Sequence, residues 1–234
     1  MIETIFFDVD GTVYDESYPK AIAELLLSEF ISSKCNRSSS EVYNTFREIK
    51  SGFVGTRSNN FSKNNRMLWF ETLLKHLQIA SISYDELNDL YWNAVLERMD
   101  PYIDFLHMLP WLKRNFDLYV LTDESISICQ NKLQHLGLDK TFIKIFSSEQ
   151  VGTTKPEKAL FDFALSNISQ SPENVAIIGD NPSADIAGGN ISRLFTIWLR
   201  RGKYYYYPKS EVETPNCTIT NYVQLPSLIN GKSM

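Results

Sequence analysis

The stretch IFFDVDGT, at residues 5–12, is the part of the chain that best defines its fold. A short run of bulky apolar residues that stops at acids and a glycine is typical of a buried strand entering a turn. The stretch therefore predicts a strand over residues 5–7, with Asp8 directly after it and Gly11 in the turn that follows.

Four later segments repeat this pattern, and each is followed by a polar residue or a glycine. They are residues 118–121 before Thr122, 143–146 before Ser147, 175–178 before Gly179-Asp180, and 194–199 before Arg200. Helical patterns at residues 125–136 and 156–168 lie between successive segments. Strands that alternate with helices form parallel sheets covered by helices on both faces. The sequence therefore predicts an α/β fold with such a sheet.

Residues 17–99 interrupt this alternation. They contain four consecutive helical patterns, at residues 21–31, 40–50, 64–77 and 84–99. Ser83, with Glu86 three residues later, predicts a cap at the start of the last helix. A helical block between the first two strands indicates an inserted α-helical cap over residues 17–99, and a core formed by residues 1–16 and 100–234.

Composition and charge exclude several classes of protein. Of the 234 residues, 43% are apolar and 22% are charged, as expected for a globular protein with a sizeable core. The net charge of −5 argues against a nucleic acid polymer or a membrane surface as partner, since both favour a basic surface. We find no signal-peptide pattern and no run of about 20 apolar residues. With three widely spaced cysteines, the expected protein is soluble and cytoplasmic, with reduced thiols.

The polar residues near the ends of the predicted strands are candidates for a site. In open parallel sheets, ligands bind beyond the carboxyl ends of the strands. Carboxylates gathered there repel one another unless a cation lies among them, and a hard divalent ion with oxygen ligands suits them. The candidate set comprises Asp8, Asp10, Thr122, Lys155, Asp180 and Asp185.

These residue types fit phosphoryl transfer. A carboxylate can attack phosphorus, which splits one difficult displacement into two easier ones. The two anions approach each other only if cations screen them, which gives Mg²⁺ and Lys155 an electrostatic role. Thr122 can donate a hydrogen bond to a phosphoryl oxygen. Asp10 lies close enough to Asp8 to protonate the departing oxygen and later to deprotonate the attacking water.

Four motifs of this chain resemble those of the haloacid dehalogenase-like (HAD) hydrolase superfamily, in the same order. They are DVDGT at residues 8–12, the strand-end Thr122, Lys155-Pro156, and GDNPSAD at residues 179–185. The resemblance extends from Ile2 to about Arg200. It implies a Rossmann-like sheet, a helical cap inserted between the first and second motifs, and Mg²⁺ as cofactor.

The resemblance also implies a role for each matching residue. Asp8 would be the nucleophile and a metal ligand, and Asp10 would be the general acid/base and a metal ligand through its backbone carbonyl. Asp180 would be a further metal ligand, with Gly11, Thr12 and Asp185 as supporting residues. The implied activity is a phosphatase that hydrolyses a small phosphorylated metabolite through an aspartyl-phosphate on Asp8.

Specificity is expected to come in part from the cap. A basic stretch, residues 50–66, contains Arg57 and Arg66, whose side chains are candidates for contact with a second anionic group of the substrate. The alternative is a solvated, mobile loop. Asp123, which follows Thr122, is a further candidate for contact with the substrate.

Four other functions stay open. A haloacid dehalogenase shares the nucleophile but needs no metal and normally lacks the second aspartate, so Asp10 argues against it. A phosphomutase shares the whole core and differs in excluding water. A receiver domain also carries acids, a threonine and a lysine on a parallel sheet, but it is much shorter and lacks an inserted helical block. The intact set of acids argues against a non-catalytic phosphate-binding relative.

Overall fold

The computed structural model describes residues 1–55, 66–201 and 208–229. The chain forms two compact units. The sheet unit comprises Met1–Glu16 and Asp100–Met234, and the helical unit comprises Ser17–Met99.

The helical unit is built from helices whose apolar sides pack together. Phe46 stacks on Phe70 with the ring centroids 5.9 Å apart, and Phe70 also meets Tyr91. The side chain of Ser83 accepts a hydrogen bond of 3.0 Å from the backbone N–H of Glu86, which confirms the predicted cap. The helices are α1 Ser17–Ser32, α2 Ser39–Gly55, α3 Arg66–Leu77 and α4 Tyr84–Leu96.

The expectation of a loop within the basic stretch was wrong for residues 51–55, which are helical, whereas Arg66 lies in a helix as the pattern at residues 64–77 predicted. Helix α2 continues through Gly55, and α3 begins at Arg66. Gly52 does not end α2, because a glycine inside a helix costs only about 1 kcal/mol relative to alanine. Residues 56–65, which include Arg57, lie outside the described residues.

The sheet unit contains a parallel sheet of six strands in the order β3-β2-β1-β4-β5-β6. The predicted α/β, Rossmann-like fold is confirmed, and so are the five predicted strands. The sixth strand was missed because its sequence, Cys-Thr-Ile, is short and not a continuous apolar run. The strands are β1 Thr4–Phe7, β2 Asp117–Thr122, β3 Ile145–Ser147, β4 Val175–Gly179, β5 Phe195–Leu199 and β6 Cys217–Ile219.

Helices flank this sheet. They are α5 Ile103–Asn115, α6 Ile126–His135, α7 Lys158–Ser166, α8 Ala187–Ile191 and α9 Leu225–Ile229. The predicted helices at residues 125–136 and 156–168 correspond to α6 and α7, and Ser125 caps α6 by accepting a hydrogen bond from the N–H of Ile128. Among the described residues, no helix has both the length and the apolar character that a bilayer crossing requires.

Successive side chains of β1 point to opposite faces of the sheet, and both faces are covered. Phe6 packs edge-on against Tyr119 and Phe146, in a cluster that includes residues of α7. Phe7 packs instead against Phe105 of α5 and Tyr222. All four residues of β1 are buried, which fixes the central strand, and therefore the residues that follow it, in the middle of the sheet.

Candidate active site

The central strands bring the predicted site residues to one edge of the sheet. β1 lies between β2 and β4, and Phe7 is level with Val120 on one side and Ile178 on the other. Because the three strands run in the same direction, the residues at their carboxyl ends share that edge. These residues are Asp8, Thr122 and Asp180.

Lys155 connects two of the carboxylates. Its Nζ donates hydrogen bonds of 2.6 Å to Asp8 Oδ1 and to Asp185 Oδ1, and one of 3.2 Å to the backbone oxygen of Leu121. Burial by itself would lower the pKa of Lys155, but the attraction of Asp185 and Asp8 outweighs it and holds that pKa well above its ordinary value. Lys155 is therefore a buried, permanently charged cation.

Three carboxylates form a compact cluster beside this lysine. Asp8, Asp180 and Asp185 each offer an oxygen, and these oxygens lie within 4.8 Å of one another. Burial raises the pKa of Asp8 to about 7, against the opposing attraction of Lys155. Burial, followed by repulsion from Asp8 and Asp185, raises the pKa of Asp180 well above its ordinary value. Two acids therefore resist ionisation in the absence of a further cation.

Asp180 has the least compensated carboxylate of the cluster. Its side chain is buried, and within the described parts of the chain its Oδ2 atom has no hydrogen-bond partner. A buried carboxylate oxygen without a partner is costly unless a cation occupies the adjacent space. With two further carboxylates close by, the donor set is the all-oxygen kind that Mg²⁺ prefers, so the residues present fit a divalent ion.

Two glycines allow the acids to approach this closely. Gly11 has φ +77°, and a Cβ atom there would lie 2.3 Å from Asp180 Oδ2. A Cβ atom at Gly179 would lie 2.2 Å from Cγ of Asp185. Thr12 also supports the site, because its hydroxyl donates a hydrogen bond of 3.2 Å to Asp8 Oδ2.

The carboxylate of Asp10 has a separate set of partners. It accepts hydrogen bonds from the hydroxyl of Tyr14, at 2.6 Å, and from Lys132 Nζ, at 2.6 Å to Oδ1 and 2.8 Å to Oδ2. Lys132 Nζ also donates to Glu124 Oε2 at 3.1 Å. Sequence reasoning missed Tyr14, Glu124 and Lys132. One signal was available, since Lys132 occupies a buried position of α6 between the apolar Cys129 and Leu133.

The chain also matches a known family. The sequence profile described as haloacid dehalogenase-like hydrolase matches residues 2–191. The match includes every residue of the carboxylate cluster and the two lysines of the site, Lys132 and Lys155. The chain belongs to this family. It is a HAD-like hydrolase, and the resemblance that the four motifs predicted is confirmed.

Several proteins are similar to this HAD-like hydrolase over most of their length. The glyceraldehyde 3-phosphate phosphatase of Methanopyrus kandleri is 26% identical, with 94% of this chain and 93% of the relative covered. The ribulose-1,5-bisphosphate 5-phosphatase of Halopiger xanaduensis is 30% identical, with 84% of each covered. The solved structure of the HAD-hydrolase YfnB from Bacillus subtilis, bound to magnesium, has a TM-score of 0.74 at 27% identity and covers 98% of this chain and 99% of YfnB.

Solved structures of haloacid dehalogenases also share the fold. One from Pseudomonas syringae is 24% identical with a TM-score of 0.72, and one from Xanthobacter autotrophicus is 16% identical with the same TM-score. Similarity at this level establishes the common fold of the HAD-like hydrolases and leaves the reaction to be argued from the site.

Thr122 and Asp123 lie at the carboxyl end of β2 in this HAD-like hydrolase. Thr122 Oγ1 accepts a hydrogen bond of 3.1 Å from the N–H of Glu124, an arrangement that directs the hydroxyl proton elsewhere. Asp123 Oδ1 accepts one of 2.9 Å from the N–H of Lys155 and so holds that residue's backbone. Burial, opposed by Lys155, raises the pKa of Asp123 to about 6. Contact of Asp123 with a substrate stays a prediction.

Arg66, the other candidate from the basic stretch, lies among aromatic rings of the helical unit. Its guanidinium carbon is 4.5 Å from the ring centroid of Trp92, 5.6 Å from that of Tyr91 and 5.7 Å from that of Trp69. These contacts are typical of cation–π packing. Substrate contact by Arg66 and Arg57 stays a prediction.

Proposed function

We propose that this HAD-like hydrolase is a Mg²⁺-dependent phosphatase that hydrolyses a small phosphate monoester through an aspartyl-phosphate on Asp8. One observation carries the proposal. Asp8 is hydrogen-bonded to a buried lysine on one side and belongs on the other to a carboxylate cluster in which one oxygen has no partner in the part of the chain that the structure describes. A carboxylate held between two positive charges, one from the chain and one from an ion, is arranged to meet a phosphoryl group.

The residues that would hold Mg²⁺ are Asp8 and Asp180 through their carboxylates and Asp10 through its backbone carbonyl, with Asp185 as a supporting acid. When bound, the ion would neutralise phosphoryl oxygens and the nucleophile as they approach each other. Lys155 supplies a second, fixed positive charge from the side of Asp185. The hydroxyl of Thr122 would donate a hydrogen bond to a phosphoryl oxygen.

The reaction then proceeds in two displacements. A carboxylate oxygen of Asp8 attacks phosphorus, the bond from phosphorus to the leaving oxygen breaks, and Asp10 gives its proton to that oxygen. In the second step water attacks the same phosphorus and Asp10 takes a proton from it. The bond to Asp8 breaks, and inorganic phosphate leaves with the carboxylate restored.

The substrate is proposed to be a small phosphorylated metabolite, and the helical unit is proposed to act as the cap. Two of the similar proteins are named for their action on glyceraldehyde 3-phosphate and on ribulose-1,5-bisphosphate, both short phosphorylated sugars. In this proposal Arg57, Arg66 and Asp123 contribute to recognition of the ester. A cytoplasmic location stays a prediction.

The environment of Asp10 favours a phosphatase over a dehalogenase. A halide leaves without accepting a proton, so a dehalogenase has no use for a carboxylate at this position. Here the Asp10 carboxylate is held by three hydrogen bonds from Tyr14 and Lys132. An alkoxide leaving group does require a proton, which gives such an arrangement a purpose. A phosphomutase would use the same residues and would pass the phosphoryl group to a sugar hydroxyl instead of water.

A screen of phosphorylated metabolites, each assayed with Mg²⁺ and with EDTA, tests the proposal. Phosphate should be released from at least one ester when Mg²⁺ is present but not in EDTA. The Asp8→Asn substitution should abolish this release. Asp162→Asn is the matched control, because Asp162 lies on the exposed surface of α7 with its side chain 53% accessible. Turnover that survives in EDTA or in Asp8→Asn would contradict the proposal. Transfer to a sugar without phosphate release would identify a mutase.

A further inference from the structure

We propose that Lys132 and Tyr14 are positioning residues that fix the orientation of the Asp10 carboxylate for both proton transfers. The inference rests on the proposed function, because it assigns these residues to the step that Asp10 performs. Neither residue belongs to the four motifs at the strand ends. Both are seen only when the contacts of Asp10 are traced in the structure.

The burial of Lys132 is the first observation. Its side chain is 1% exposed, although lysine is almost never fully buried unless it is paired. Its Nζ contacts three carboxylate oxygens, two of Asp10 and one of Glu124. An apolar residue at this position of α6 would pack without any of these contacts, so the charge has a specific use at Asp10 and Glu124.

The geometry at Asp10 is the second observation. Lys132 contacts both carboxylate oxygens, and the hydroxyl of Tyr14 contacts Oδ1 as well. Donors on two sides of a carboxylate restrict its rotation, which one hydrogen bond does not. A proton-transfer group must be held close to its productive geometry, and small misplacements reduce the rate by large factors.

The local backbone explains why such a restraint is needed. Asp10 lies beyond the end of β1, and the next residue, Gly11, adopts a positive φ of +77°. The strand therefore does not fix the direction of the Asp10 side chain. The restraint instead comes from α6, which lies far along the chain and is itself buried on the side that carries Lys132.

A purely structural role for Lys132 is the competing explanation. By contacting Glu124, Lys132 also connects the segment after β1 to the segment after β2. If this connection were its whole purpose, removing the Glu124 charge would have the same effect as removing Lys132. Glu124→Gln therefore separates the two explanations, because it leaves the contacts between Lys132 and Asp10 in place.

The test uses two esters that differ in their need for an acid. p-Nitrophenolate leaves without a proton, so formation of the aspartyl-phosphate from p-nitrophenyl phosphate does not need Asp10. Hydrolysis of that aspartyl-phosphate by water does need Asp10. Lys132→Met should therefore release one nitrophenolate per active site in a fast burst and then turn over about 10- to 100-fold more slowly than wild type. With the alkyl phosphate that the screen identifies, no burst of released alcohol should appear, and kcat should fall further, while KM stays within about twofold.

Controls and a second variant complete the design. Lys75→Met removes a lysine that is 75% exposed and pairs with Glu71 on its own helix, and its kinetics should match wild type. Tyr14→Phe removes one hydrogen bond without removing a charge, and it should show a smaller change in the same direction. If Lys132→Met does not fold, Tyr14→Phe decides the matter.

Several outcomes would overturn the inference. One is wild-type burst and turnover in Lys132→Met, or in Tyr14→Phe if Lys132→Met does not fold. Another is an effect of Glu124→Gln on these kinetics that equals the effect of Lys132→Met. If wild type releases phosphate from none of the screened esters with Mg²⁺, the proposed function fails first, and the inference fails with it. A wild type that is active beside a kinetically normal Lys132→Met contradicts the inference alone.

Discussion

Replacing Asp180 by asparagine should make the metal-free protein more stable while removing its response to Mg²⁺. Asp180 is 2% exposed, and its Oδ2 atom has no hydrogen-bond partner among the described residues. Burial, together with repulsion from Asp8 and Asp185, raises the pKa of its carboxyl group. Asparagine keeps the shape of the side chain and removes the charge, so the cost of burying a charge and the repulsion from the other two acids disappear, while a neutral buried amide remains.

The expected magnitude is the difference between burying a charge and burying a neutral amide at the same place. A buried polar group without a partner costs about 1–3 kcal/mol and a charged group costs more, so the difference is about 1 kcal/mol or more. In a chain of this length, 1 kcal/mol shifts Tm by about 2–4 °C, so the gain in EDTA should be at least about 2 °C. Wild type should gain about 3 kcal/mol from Mg²⁺ at a hundred times its Kd, and the variant should gain little.

Thermal unfolding of both proteins in EDTA and in Mg²⁺, near neutral pH, measures these quantities. Asp162→Asn, an acid-to-amide change on an exposed surface, should show the wild-type Tm and the wild-type response to Mg²⁺. An Asp180→Asn protein that is less stable than wild type in EDTA would refute the reasoning from the unpaired charge. A Mg²⁺ response equal to that of wild type would show that the ion does not depend on this carboxylate.

Three further predictions concern the same cluster. The pKa of Asp8 is about 7 in the folded protein and near 4 in the unfolded chain, so the folded state holds this proton more tightly. The metal-free protein should therefore lose about 1 kcal/mol of stability as the pH rises from 6 to 8. Thermal unfolding should show this loss as a fall in Tm, and Mg²⁺ should suppress that fall. Gly11→Ala should abolish Mg²⁺ binding in calorimetry, because its Cβ would overlap Asp180, whereas Gly137→Ala, also at positive φ but in open space, should bind normally. Lys155→Met should lower the free energy of unfolding by about 3–5 kcal/mol in urea titrations and remove turnover, because it leaves two buried carboxylates without their cation. A Lys155→Met protein of wild-type stability would contradict the assigned ion pairs.

The sequence was sufficient to predict which residues of the strand ends come together. Apolar runs that stop at Asp8, Thr122 and Asp180 specify parallel strands, and the strand ends of a parallel sheet lie on one edge. The order of strands was not needed for this prediction. It does explain the result, because β1 lies between β2 and β4 and so holds Asp8 between the other two.

The partners of Asp10 could not be predicted in the same way. Tyr14 reaches Asp10 through a turn, and Lys132 reaches it from a helix 122 residues later in the chain. Neither contact follows from strand order or from a motif. A lysine between apolar positions of a helical pattern indicates that a buried acid exists somewhere, but only the packing of α6 on the sheet shows which acid it is.

The distribution of positive charge suggests how the two acidic halves of the site divide their work. Asp10 and Glu124 share Lys132, whereas Asp8 and Asp185 share Lys155. Within the described ranges, the oxygen of this cluster without a partner belongs to Asp180, so the missing charge lies on that side of Asp8. A divalent ion bound there would compensate Asp180 and leave the Asp10 carboxylate, which already has its own cation, available for proton transfer. In the proposed mechanism the ion and the acid/base group would therefore not compete for one carboxylate.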